Sequence, residues 1–250
     1  MKKIFFLFMV FGFGVSLLAY DDTGYRKFQY GAEAVNWWKR LYSDKVLSKE
    51  EKSIVYQYTF GDFVVINDKL RKGIPLSSLN DEQKDMVKRL DKALGKTIIF
   101  ENLIVYRYEN LGFLFKLLDI SYLPKIYQNG KFTEEAKHYL ESIIHKKYRD
   151  YGFMSTTAIK NSVFQTRPIE LVIKVPKYSD TLFVSLKDLA AFETQYELLF
   201  PRNRVLTIER YEISKDFKRL TIFVKMTGPC YAGKPCEIEK VDNLKQPPEF

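Results

Sequence analysis

Residues 189–202 read LAAFETQYELLFPR. A turn of small and aromatic residues runs into an apolar stretch carrying Gln195 and Glu197 two positions apart. Side chains alternate along a strand, which predicts Gln195 and Glu197 on one face and Tyr196, Leu198 and Phe200 on the other. Pro201 has no N–H for a central ladder, so the strand is expected to end there. A solvent-facing strand with ordinary polar residues would show the same pattern, and the rest of the chain must decide between the two.

Outward from this stretch the sequence reads as strands. GFMSTTAI (152–159), PIELVIKV (168–175), DTLFVS (180–185), RVLTIERYEI (204–213) and RLTIFVKM (219–226) are short β-branched and aromatic runs, mostly separated by turn residues. Thr97–Phe100 and Leu103–Tyr108 read the same way. Phe132 to Lys147 reads as a helix-rich insertion with Thr133 as its N-cap. Upstream the period changes to helical. Ala32–Trp38 has apolar residues at helical spacing, and Ser48 with Glu51 forms a capping box. Tyr58–Gly73 has an irregular start and then a short helix closed near Gly73; Met86, Val87, Leu90 and Leu94 mark the buried stripe of another. The reading is α+β, with a helical lobe over 20–95 and a mostly antiparallel, two-sheet core over 96–228. No Gly-rich dinucleotide fingerprint is present.

With 250 residues, 46% of them hydrophobic and 16% aromatic, the chain can bury a substantial core. The net charge of +9 is spread over scattered Lys and Arg, which argues against a nucleic-acid surface. Lys2 and Lys3, an apolar run from Ile4 to Leu18 and then Ala19 have the layout of a secretory leader over 1–19. That run is short for a membrane anchor. The tail over 229–250 holds Cys230 and Cys236, which in an exported chain read as a disulfide, with free thiols the alternative; without a nearby His they make a poor metal site.

Four stretches together carry chemistry: INDKLR with Asn67 and Arg71, IVYRYEN with Arg107, GFMSTT with Ser155, and the Gln195-Tyr196-Glu197 run. Arg, an STS-like triplet and Gln-x-Glu in this order resemble the bacterial mono-ADP-ribosyltransferase toxins, in particular the Rho-inactivating exoenzymes. The resemblance runs from about Trp38 to Met226 and includes RPIEL (167–171) and ELLFPR (197–202).

The resemblance implies an ADP-ribosyltransferase fold, a secreted monomer, NAD as co-substrate without a metal, and a host protein target in the Rho family of small GTPases. By the same resemblance Arg71 and Arg107 meet the NAD phosphates, which planar guanidinium groups match bidentately. Asn67, Phe164 and Arg167 border the cofactor, and Ser155 holds the Glu197 carboxylate. Glu197 stabilises the oxocarbenium-like ribose left by departing nicotinamide. Gln195 holds an acceptor amide, and Phe192 touches the target protein. An arginine-directed transferase, an NAD glycohydrolase and a silent binding module on the same fold are the rival readings. The chain departs from the pattern in its STT triplet, in Tyr148 where some relatives carry Arg, and in Glu193 within the recognition turn.

Overall fold

The computed structural model describes residues 24–160 and 163–227. The expected leader, the Cys230–Cys236 pair and the tail lie outside the described residues.

The helical periods translate directly into helices. α1 (Gly31–Leu41) buries Ala34, Trp37 and Trp38. α2 (Lys49–Gln57) opens with the capping box, Ser48 accepting from the Glu51 N–H while Glu51 accepts from the Ser48 N–H. The irregular start beyond it is a π-helical turn, Tyr58–Asp62, leading into α3 (Phe63–Arg71). α4 (Asp81–Leu94) buries Met86, Val87, Leu90 and Leu94 as its stripe demands.

The sheet follows. β1 (Leu103–Glu109) is succeeded by the short helix α5 (Leu123–Ile126) and a hairpin of β2 (Tyr127–Gln128) with β3 (Lys131–Phe132). Then come α6 (Ala136–Glu141), β4 (Lys147–Asp150), β5 (Met154–Thr157) and β6 (Ile169–Val175). β7 (Leu182–Phe183), β8 (Glu197–Phe200), β9 (Arg204–Ile213) and β10 (Leu220–Met226) complete it. Eight strands pair in the order β4-β9-β10-β6-β1-β5-β8-β7. All the pairs are antiparallel except β10 with β6.

This single ladder does the work of the expected two sheets. β4 and β5 lie five strand steps apart, which in a flat sheet would be about 24 Å. Three residues, Tyr151–Phe153, join them, and that link reaches at most about 14 Å. The sheet must therefore curl back on itself. The weak point is the β1–β5 seam, where only Tyr106 and Thr157 pair. Apolar residues of both halves and of α1 to α4 share one core that includes Trp38, Leu90, Phe153, Ile173, Phe183, Leu199 and Ile222.

Three local expectations are corrected. Thr97–Phe100 is not a strand, because the Tyr42 hydroxyl takes both Ile98 backbone groups, leaving an isolated bridge to Asp180. The helix expected over 132–147 shortens to α6, since β3 and β4 claim its two ends; its N-cap is Glu135, without a side-chain cap, and Thr133 sits two residues further out, accepting from the Ala136 N–H at 3.0 Å. Gln195 is not on the strand. Glu193–Gln195 is a 3₁₀ turn, Tyr196 is left-handed at φ 48°, and β8 begins at Glu197. The backbone reversal at Tyr196 breaks the alternation that would have put Gln195 and Glu197 on one face.

The Tyr196 ring lies against the start of α1: a Cβ added at Gly31 would come within 1.9 Å of its Cζ.

Candidate active site

Two groups of side chains form the site. The first gathers at the short β4–β5 link. Asp150, fully buried, accepts from Arg71 Nε at 2.8 Å and Nη2 at 3.0 Å, and from Arg107 Nη1 at 2.6 Å. Arg107 Nε also donates to Glu109 at 2.6 Å, and Arg71 Nη2 to the Phe153 carbonyl at 3.2 Å. Burial alone would raise the Asp150 carboxyl, but the two guanidinium groups hold it well below the usual carboxylate range. Asp150 went unnoticed in the sequence. The available signal was that it is the sole acid in KYRDYGFMSTT, immediately ahead of the Ser155 strand.

Asn67 and Arg71 lie one turn apart on α3, but they do different things. The Asn67 amide is buried; it donates to the Tyr58 hydroxyl at 2.8 Å and accepts from the Phe153 N–H at 2.8 Å. It therefore fastens the helix to the start of β5. The approach is close enough to require glycine at 152, where an added Cβ would stand 2.6 Å from Asn67 Oδ1 and 3.1 Å from Arg71 Nε.

The second group sits on β5 and β8. Thr157 is directly opposite Glu197, so Ser155, two residues along on the same face, is its diagonal neighbour. That places the Ser155 hydroxyl where it favours the ionised Glu197 carboxylate. Burial pushes the Glu197 carboxyl up to about 7, with Ser155 pulling it back. Tyr58 links the groups: its ring meets Phe153 edge-on at 5.5 Å, and its hydroxyl, raised by burial, is raised further by Glu197.

Gln195 is held through its backbone, the Thr157 hydroxyl donating to its carbonyl at 2.9 Å. Glu197 is held likewise, its N–H donating to Ser185 Oγ at 2.7 Å. Phe192, in the preceding turn, is 53% exposed. Arg167 stacks on Phe164 at 4.7 Å and donates to the Tyr108 carbonyl at 2.8 Å, so this pair attaches to β1 one residue from Arg107. Lys116, also missed, donates to the Tyr148 hydroxyl at 3.0 Å near the Asp150 cluster. Among the described residues no cluster of His, Cys, Asp and Glu could hold a metal ion, and no helix is long and apolar enough to cross a membrane.

A curled sheet that carries two arginines around one buried carboxylate, Asp150, and a second buried carboxylate, Glu197, on β8 has the groups to receive an anionic glycosyl donor. The comparisons make this specific. The family model for ADP-ribosyltransferase exoenzymes matches residues 27–228. The epidermal cell differentiation inhibitor of Staphylococcus aureus is 32% identical over 196 residues, 76% of this chain and 79% of that protein. The mono-ADP-ribosyltransferase C3 of a Clostridium botulinum D phage is 29% identical over 224 residues, covering 87% and 85%. The crystal structure of the Clostridium limosum C3 exoenzyme superposes with a TM-score of 0.73 at 25% identity, over 82% of this chain and 98% of that one. That of S. aureus C3stau2 with NAD gives 0.72 at 22% identity, over 81% and 98%, a likeness of fold. The chain belongs to the ADP-ribosyltransferase exoenzyme family, with NAD as the co-substrate of its transfer reaction.

Proposed function

We propose that the exported chain transfers ADP-ribose from NAD to an Asn side chain of a Rho-family GTPase. The observation that carries the reading is Glu197, a buried carboxylate on β8 beside the Ser155 strand and two strands from Arg107 in the same sheet. Arg71 and Arg107 keep N–H groups beyond those given to Asp150, and these suit the dinucleotide phosphates. Arg167 with Phe164 borders the same donor, and Asn67 acts by positioning Arg71 and Phe153.

In the reaction the bond between the ribose C1 and the nicotinamide nitrogen breaks, and its electron pair leaves with neutral nicotinamide. Positive charge grows on the ribose, where the Glu197 carboxylate opposes it through the 2′-hydroxyl. The acceptor amide nitrogen then bonds to C1 and releases one proton to solvent. Gln195 supplies an amide able both to donate to and to accept from an Asn carboxamide, which a Glu there would not do. Phe192 gives the target an exposed ring beside the reacting centre. The family match and the clostridial mono-ADP-ribosyltransferase above support the transfer chemistry; the leader-like start of the sequence supports export.

The test incubates purified protein with labelled NAD and a purified Rho-family GTPase, then locates the label by peptide mass analysis. Label on one Asn is expected. With Gln195→Ala, labelling should vanish while nicotinamide release by water continues. Label on Arg, or release without any labelled protein, would replace this reading with one of its rivals.

A further inference from the structure

Five exposed large apolar side chains fall within ten consecutive residues: Tyr56, Phe60, Phe63, Val64 and Val65. A surface helix ordinarily turns such residues inward. Here Tyr58 and Thr59 take the inward positions and Phe60 is left 68% exposed. The interruption is the π-helical turn Tyr58–Asp62, a distortion common at functional positions.

The patch borders the reacting centre. Tyr58, within the π turn, feels the charge of Glu197, and its ring meets Phe63 at 6.3 Å. The Thr59 hydroxyl donates to the Leu189 carbonyl at 3.3 Å, tying the π turn to the turn that presents Phe192. The apolar row and Phe192 are thus carried by two segments fastened together.

We propose that Tyr56, Phe60, Phe63, Val64 and Val65, together with Phe192, form the surface on which the protein acceptor of the transfer seats an apolar spot with a basic rim. The inference rests on the transferase reading above and adds where and how the acceptor binds. Aromatic side chains bury about 150–250 Å² each, so six half-open apolar side chains amount to on the order of 500 Å². That is the scale of a functional patch on a monomer and falls short of the roughly 800 Å² per partner of a stable interface. It suits an acceptor that must leave after one transfer. The charge is equally directional. In a chain of net charge +9, the stretches 56–65 and 189–196 carry Asp62 and Glu193 and no Lys or Arg. Both carboxylates belong to exposed residues and favour a basic rim on the partner.

The experiment compares the full chain with Phe60→Ser and Asp62→Lys, checked for equal melting temperature. Each is assayed for labelling of a purified Rho-family GTPase at increasing GTPase concentration, and for nicotinamide release without acceptor. Phe60→Ser should raise the acceptor KM about tenfold with kcat and acceptor-free release unchanged. Asp62→Lys should raise it severalfold, an effect that shrinks in 0.5 M salt. An unchanged acceptor KM in Phe60→Ser would overturn the proposal. So would a raised KM for NAD without acceptor, which would assign the row to the dinucleotide. A concentration-dependent dimer of the native chain that Phe60→Ser dissolves would assign it to a second copy. Native protein that releases no nicotinamide fails the transferase reading itself, and that is seen before any variant is compared.

Discussion

The two ends of the site solve opposite problems with the same residue type. Asp150 and Glu197 are both buried carboxylates, yet Asp150 is held ionised by two guanidinium groups and Glu197 has only a hydroxyl. A charge compensated within 3 Å is a fixed scaffold, and removing its partner leaves an uncompensated charge. A carboxylate without a cation is costly until positive charge arrives, which happens only as nicotinamide departs. On the proposed reading, the paired arginines hold the donor with charges that do not change, and Glu197 acts only as nicotinamide departs.

The largest effect that would break this contrast concerns the scaffold. Asp150→Ala should destabilise the fold by about 3–5 kcal/mol, because Arg71 and Arg107 would confront each other. Urea unfolding with an unchanged midpoint would show that the cluster is a surface ornament. Next is the reacting end, where Glu197→Gln should cut nicotinamide release about 10²–10³-fold while leaving the melting temperature at pH 8 no lower. A parallel fall in both would mean that Glu197 serves the fold. Smaller again, Arg71→Ala should weaken NAD binding by roughly ten- to a hundredfold. It should destabilise less than Asp150→Ala, since Arg107 still compensates the carboxylate. Fluorescence titration and urea curves on one preparation separate the two quantities.

The two carboxyls should also respond oppositely to pH. Release should rise as pH increases through about 7, because the Glu197 carboxyl must ionise, and Glu197→Gln should lack that limb. For stability, Glu197 keeps its proton in the folded chain above the pH at which the unfolded chain loses it. Its contribution therefore declines between the unfolded value near 4.5 and about 7. Asp150, held low, stabilises above its unfolded value and loses that contribution as pH falls below it. Smallest of all, Phe192→Ala should change stability by no more than about 0.5 kcal/mol while lowering protein labelling. A fall of several kcal/mol would place the ring in the core.

The helices were legible because caps and apolar stripes are local: Ser48 with Glu51, and Met86 through Leu94, need nothing beyond their own segment. Most strands were legible for the same reason. What escaped depends on distant partners. Asp150 acquires its role from Arg71 and Arg107, 79 and 43 residues away in sequence. The Thr97–Phe100 run lost its strand to a hydroxyl 56 residues upstream. Gln195 was placed on the right element boundary but the wrong side of it, since a tyrosine with left-handed backbone carries no mark in the sequence.

That tyrosine gives the site a remote control. Position 31 has room only for a hydrogen atom beneath the Tyr196 ring, and Tyr196 is the residue between Gln195 and Glu197, the two side chains proposed to meet acceptor and ribose. A single methyl group at the head of the first helix would have to tilt that ring or shift the strand entry behind it. Catalytic output is in this sense mortgaged to a position that touches neither substrate, and damage there would resemble damage to the cleft itself.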